Sequence, residues 1–75
     1  MSADEVVAIG AGGQLAVLDL AGARTVPAED DEQVRAAWSA LPAGVAVVVL
    51  TGAAARAVGT DRRTAGAPLT VVLPP

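Results

Sequence analysis

Cysteine, histidine, lysine, tyrosine and phenylalanine are all absent from this sequence, which has a single tryptophan and a single methionine. Without cysteine there is no disulfide and no thiolate nucleophile, and without histidine there is no imidazole base and no Cys/His metal set. Neither a Gly-x-Ser-x-Gly nucleophile motif nor a Gly-Lys-Ser/Thr phosphate-binding motif occurs. We therefore expect a protein that is not an enzyme and that holds neither a cofactor nor a metal.

Basic charge is also scarce. Five arginines stand against eight acidic residues, which gives a net charge of −3 and an isoelectric point near 4.5. A nucleic-acid-binding face needs the opposite balance, and no apolar run approaches the ~18 residues that span a bilayer. The acidic start, Met1–Glu5, is unlike a secretory signal. These features predict a cytoplasmic protein with no nucleic-acid partner and no segment inserted in a membrane.

Small apolar side chains are abundant. Hydrophobic residues make up 53% of the 75 positions and the mean hydropathy is +0.55, which is enough for a globular core. Most of them are Ala, Val and Leu, which bury little area each, so the core should be weak for its size. A domain of this kind gains stability when it docks onto another protein.

Strand and helix patterns alternate along the chain, with turn residues between them. The predicted strands are Glu5–Ile9, Arg24–Pro27, Val45–Leu50 and Leu69–Leu73. The predicted helices are Gln14–Ala21 with Gly22 as its C-terminal cap, a helix capped by Asp30 that ends before Pro42, and a helix capped by Thr51 that reaches Val58. A loop is expected over Thr60–Ala67.

This order predicts a single α/β domain over residues 1–75, with a small four-stranded parallel sheet flanked by helices. The first and third strands are the most apolar, so they should be central and give the strand order 2-1-3-4 of flavodoxin-like folds. Val45–Leu50 is apolar at every position, which predicts a strand covered on both faces. Pro27 cannot donate to a ladder, so the second strand should be short or at an edge.

The segment Gly10-Ala11-Gly12-Gly13 follows a strand and precedes a helix, as a dinucleotide-binding turn does. Glu29 lies where a ribose-binding acid would be expected, about 20 residues further on. Against this interpretation, Leu15 occupies the position at which close helix–strand packing favours Gly or Ala. The alternative is that these glycines form a tight turn with no ligand.

Acidic residues are missing from the positions that a phospho-receiver of this topology would need. Gly10-Ala11 follows the first strand and Thr51-Gly52 follows the third. The acidic cluster Glu29–Glu32 could suggest a metal site, but negative side chains are also typical of the first turn of a helix.

Four residues are candidates for partner binding. Leu15 and Asp19 fall on one side of the first predicted helix, together with Ala16, and we expect this apolar surface to face outward. Arg62 and Arg63 could contact a phosphate or an acidic partner, although a solvated loop is the commoner role for such a pair. Trp38 lies in line with Val34 and Leu41, which predicts burial in the core.

Three local patterns resemble the small central-stalk component, designated F, of the V/A-type rotary ATPases. The first helix ends in Leu20-Ala21-Gly22-Ala23, an acidic helix start precedes the apolar strand Val45–Thr51, and the chain closes with Pro68-Leu69-Thr70-Val71-Val72-Leu73-Pro74. The resemblance covers almost the full chain and depends on the order and spacing of the patterns. Two features depart from it: Gly52 replaces the acidic residue that often follows the threonine, and the family commonly continues into a C-terminal helix.

The resemblance implies a non-catalytic component of the central stalk, the rotor, that binds the shaft component, designated D. Such a protein is cytoplasmic, is peripheral to the membrane through its complex, and supports proton or sodium transport coupled to ATP. Two alternatives remain open. One is a small Rossmann-like nucleotide-binding module, and the other is a stand-alone regulatory domain that binds a different protein.

Overall fold

The computed structural model describes residues 5–20, 22–63 and 66–74. In chain order the elements are β1 (Glu5–Gly10), α1 (Gly12–Leu20), β2 (Arg24–Pro27), α2 (Asp31–Ser39), β3 (Val45–Leu50), α3 (Gly52–Val58), a 3₁₀ turn over Gly59–Arg63 and β4 (Leu69–Val72). Three parts of the predictions lie outside the described residues: the helix end at Ala21, the start of the chain before Glu5, and residues 64–65 of the predicted loop.

The four strands form one parallel sheet in the order β2-β1-β3-β4. The predicted fold class and strand order are therefore confirmed. β1 and β3 pair along most of their length at the centre, with an irregularity between Glu5 and Val6. β2 and β4 form the two edges, and the prediction that Pro27 marks an edge strand is correct.

The helices divide unequally between the two faces of the sheet. α2 and α3 contact each other and pack on the central strands, which defines the α2–α3 side. α1 packs mainly on β1 and β2, on the opposite face of the sheet, which we call the α1 side. The main core lies on the α2–α3 side and contains Val7, Ile9, Ala28, Val34, Val45, Val48, Leu50, Ala54, Ala55 and Val58.

The ends of the helices follow from local hydrogen bonds. Asp30 accepts from the N–H of Gln33 at 2.8 Å and Thr51 accepts from the N–H of Ala54 at 3.2 Å, so both predicted N-caps are confirmed. After α1, Gly22 has a φ of 95°. Its N–H and that of Ala23 donate back to the last turn of the helix at 3.1 Å, an arrangement that suits glycine.

Three predictions about local structure were wrong. α1 begins at Gly12 and not at Gln14, so two glycines assigned to a turn belong to the first turn of the helix. The predicted loop starts with a 3₁₀ turn that runs directly from α3. β3 is fully covered only on the α2–α3 side, since Val47 and Val49 are half-buried.

Candidate functional site

The turn between β1 and α1 is the place where a parallel sheet of this order would hold a nucleotide. Here the N–H of Gly12, at the start of α1, donates to Glu29 Oε2 at 3.1 Å. Glu29 therefore lies against the helix N-terminus, where a ligand phosphate would have to bind. The residue proposed as a ribose-binding acid instead satisfies a backbone donor of its own chain.

Gly10 is needed for packing. A Cβ atom at this position would lie within 2.7 Å of Thr51 Oγ1, which is closer than real Cβ contacts. Thr51 is itself 2% exposed, and its hydroxyl caps α3. The close approach of β1 and the start of α3 accounts for this glycine without a ligand.

The acidic cluster Glu29–Glu32 forms the start of α2. Asp30 is the N-cap, and Gln33 Oε1 accepts from the N–H of Glu29 at 2.7 Å, while Asp31 and Glu32 lie in the exposed first turn. These contacts give the cluster a structural role. In the part of the chain that the structure describes, no three His, Cys, Asp or Glu residues come together to hold a metal ion.

The four residues predicted to bind a partner do not form one surface. Leu15 is 2% exposed and lies between α1 and the sheet, so the expectation that it faces outward was wrong. Asp19 is exposed on the same helix. Arg62 and Arg63 lie in the turn after α3, where Arg62 Nε donates to the carbonyl of Gly59 at 3.4 Å and Arg63 is exposed.

The outward side of α1 is hard to read from its sequence because the helix has so few polar residues. Gln14 and Asp19 are both exposed, but Leu15, which the pattern groups with Asp19, is the buried position. Among the side chains of α1 that the structure describes, the exposed apolar ones are those of Ala16, as predicted, and of Leu20, which is 87% exposed. α1 therefore presents some apolar surface to solvent, which includes the large side chain of Leu20 and does not include that of Leu15.

A larger apolar surface lies beside α1, on the half of the sheet that this helix leaves open. Register places five side chains on this face, which we call the bare face: Val6, Val47, Val49, Leu69 and Val71. Leu69 is 67% exposed, Val71 48% and Val6 38%. None of the five carries charge or a hydrogen-bonding group, so the bare face can contribute contact area but no reaction chemistry.

A groove opens at the N-terminal ends of β3 and β4, near the C-terminus of α2. It has a volume of about 630 Å³ and its lining includes Trp38, Pro42, Asp61, Pro68 and Leu69. Trp38 is half-buried against the core and half-open to this groove, so the prediction of its burial is only partly correct. Leu69 belongs both to the groove and to the bare face, and the two surfaces are therefore continuous.

None of the described helices is long and apolar enough to cross a membrane. No family model and no curated protein matches this chain.

Proposed function

We propose that this chain is a non-catalytic protein-binding domain that docks a partner on its bare face. The observation that carries the proposal is the exposure of Leu69 and Val71, on a parallel sheet whose faces are normally both covered. Exposed apolar side chains that are contiguous mark interaction surfaces more often than scattered ones do.

The shape of the bare face favours a helical partner. α1 covers β1 and β2, and the space beside it on β3 and β4 is about as wide as one more helix. A helix there would contact Val47, Val49 and Val71 from above and would lie next to α1. Its contact surface should be apolar, because the bare face offers no charge to pair with.

The resemblance to the V/A-type rotary ATPases gives this partner an identity. The shaft of their central stalk is an elongated helical protein, and we propose that the chain binds this shaft component as the small protein of the stalk. In this role the domain would turn with the shaft on the cytoplasmic side and support ATP-coupled proton or sodium transport. The four-stranded parallel fold and the uncovered face are compatible with this assignment.

The two alternatives differ in how well they agree with the geometry. A nucleotide-binding module would need the N-terminus of α1, which Glu29 already contacts. A stand-alone regulatory domain would use the same bare face for a different protein, and only the identity of the partner separates it from the rotor component.

The test is co-expression with the neighbouring shaft component, followed by gel filtration and thermal melts. We expect the pair to elute together and the melting temperature of this chain to rise, because a partner that binds only the folded state stabilises it. Leu69→Arg should weaken the association about tenfold or more by placing a charge in an apolar contact. Ala36→Arg, an exposed position on α2, is the matched control and should leave binding unchanged.

Two results would contradict the proposal. If the proteins elute separately when they are mixed at about 50 µM, the rotor assignment fails and the regulatory alternative replaces it. If they associate but Leu69→Arg binds as well as the unmodified chain, the bare face is not the docking surface.

A further inference from the structure

In the part of the chain that the structure describes, no strand pairs with the outer edge of β4, which offers its backbone groups in a defined order. The N–H of Leu73 donates to the carbonyl of Leu50 on β3 at 2.8 Å. Successive residues of a strand direct their N–H and C=O groups to opposite sides. Because those of Leu73 face β3, the backbone groups of Leu69 and Val71, at every second position, also face β3. Thr70 and Val72 therefore direct one N–H and one C=O each away from the sheet.

The sequence of β2, the strand at the opposite edge, disfavours pairing with another strand. The N–H of Ala28 donates to the carbonyl of Gly10 at 2.8 Å, so the same alternation directs Thr25 and Pro27 outward. Pro27 has no N–H to donate. β2 also carries Arg24, which is ion-paired with Glu5 at 3.2 Å, and charge on an edge discourages pairing. β4 has neither proline nor charge between Leu69 and Val72.

We propose that two copies of this chain pair through β4, antiparallel across a two-fold axis. With Val71 opposite Val71 of the second copy, Thr70 stands opposite Val72 of that copy and the two residues exchange both of their backbone hydrogen bonds. The two-fold axis generates the same exchange between Val72 of the first copy and Thr70 of the second. The outward N–H and C=O groups of Thr70 and Val72, four on each strand, are then all hydrogen-bonded. Leu69 then faces Leu73 of the second copy, on the same side of the joined sheet.

Three features favour a second copy over an unrelated strand. The hydrogen-bonding pattern of Thr70 and Val72 is complementary to itself under two-fold symmetry. No like charges meet across the pair, although each copy has a net charge of −3. The sheet formed by the described residues has one open edge per copy, so the association closes as a dimer and does not continue into a filament.

The dimer should be weak. A four-residue edge buries less than the roughly 800 Å² per partner of a standard interface. We expect dimers at about 200 µM and monomers at about 1 µM. The pairing does not depend on the proposed function, because it concerns the chain alone and uses the edge of the sheet.

The experiment is sedimentation velocity on the isolated chain across this range of concentration. Thr70→Pro removes one outward N–H and leaves the ladder to β3 intact, so it should abolish the dimer without changing the melting temperature by more than a few degrees. Thr25→Pro makes the same change at the outward position of β2 and should leave dimerisation unchanged.

A pair of charged variants tests the register and does not rely on proline. Val71→Lys and Val71→Glu should each be monomeric, since like charges would lie opposite each other, and an equimolar mixture should recover the dimer. A monomer at 200 µM for the unmodified chain, a dimer that survives Thr70→Pro, or a mixture that stays monomeric would each overturn the proposal. Thr70→Pro keeps Leu69 and Val71 in place, so shaft binding can be measured separately on the same variant.

Discussion

The two sides of the sheet are built from the same few residue types, but one is mainly core and the other is mainly surface. On the α2–α3 side Val48 and Leu50 are completely buried. On the α1 side Val47 and Val49 of the same strand are only half-buried. On the edge strand β4, Leu69 and Val71 are 67% and 48% exposed on the α1 side, and Val72 is 41% exposed on the α2–α3 side. Composition alone therefore does not decide which Val and Leu residues form the core.

The connectivity of the strands decides which of these residues are covered. With right-handed crossovers, the step from β1 to β2 places its helix on one side, while the two later steps place theirs on the other. Four strands spaced about 4.8 Å apart make a sheet roughly 19 Å wide, and a helix with its side chains is about 10 Å across, so α1 alone cannot cover its side. The bare face is a direct consequence of strand order and of the number of crossovers.

The largest effect is expected where the α1 side is covered. Leu15→Arg would place an unpaired charge between α1 and the sheet, at a position that is 2% exposed, and should cost more than about 4 kcal/mol. In a domain of this size that is enough to unfold most of the population. Circular dichroism melts measure the loss, and Ala16→Arg, at the next and exposed position, is the control.

An outcome in which Leu15→Arg melts like the unmodified chain would mean that α1 is not packed on the sheet in solution. The comparison between the two sides would then fail at its covered part. The same result would revive the interpretation of Leu15 as a docking residue.

The sequence predicts the fold well because local and global signals agree. Pro27 keeps β2 away from the centre of the sheet, and the apolar sequence of β3 favours a central position for that strand. The caps at Asp30 and Thr51 fix where two helices begin. Strand order follows once the alternation of strands and helices is recognised. These features depend on residue type and spacing, which are directly readable.

The candidate site was predicted poorly because it depends on which positions are left uncovered. An apolar residue at every position of β3 favours coverage of both faces, yet Val47 and Val49 are only half-buried. The rotation of α1 could not be determined from two polar residues in nine. Strand order together with crossover handedness would have indicated the bare face, since both were available from the sequence.

A smaller effect is expected for truncation in the core of the α2–α3 side. Leu50 is completely buried, so Leu50→Ala removes buried methyl groups and leaves a cavity, at a cost of about 2–5 kcal/mol. Urea denaturation gives the free energy of unfolding, with Leu50→Met as the control that roughly conserves volume. A cost below about 1 kcal/mol for Leu50→Ala would show that this side is packed no better than the other.

The smallest effect is expected for the same substitution on the bare face. Leu69→Ala should change the free energy of unfolding by no more than about 0.5 kcal/mol, because most of the side chain is already in water. The measurement is made at about 1 µM, where the chain should be monomeric, and then at about 200 µM. Pairing through β4 would place Leu69 opposite Leu73 of a second copy, so its truncation should cost more at the higher concentration. A cost as large as that of Leu50→Ala at 1 µM would contradict the distinction between the two sides, since it would mean that Leu69 is covered within a single chain.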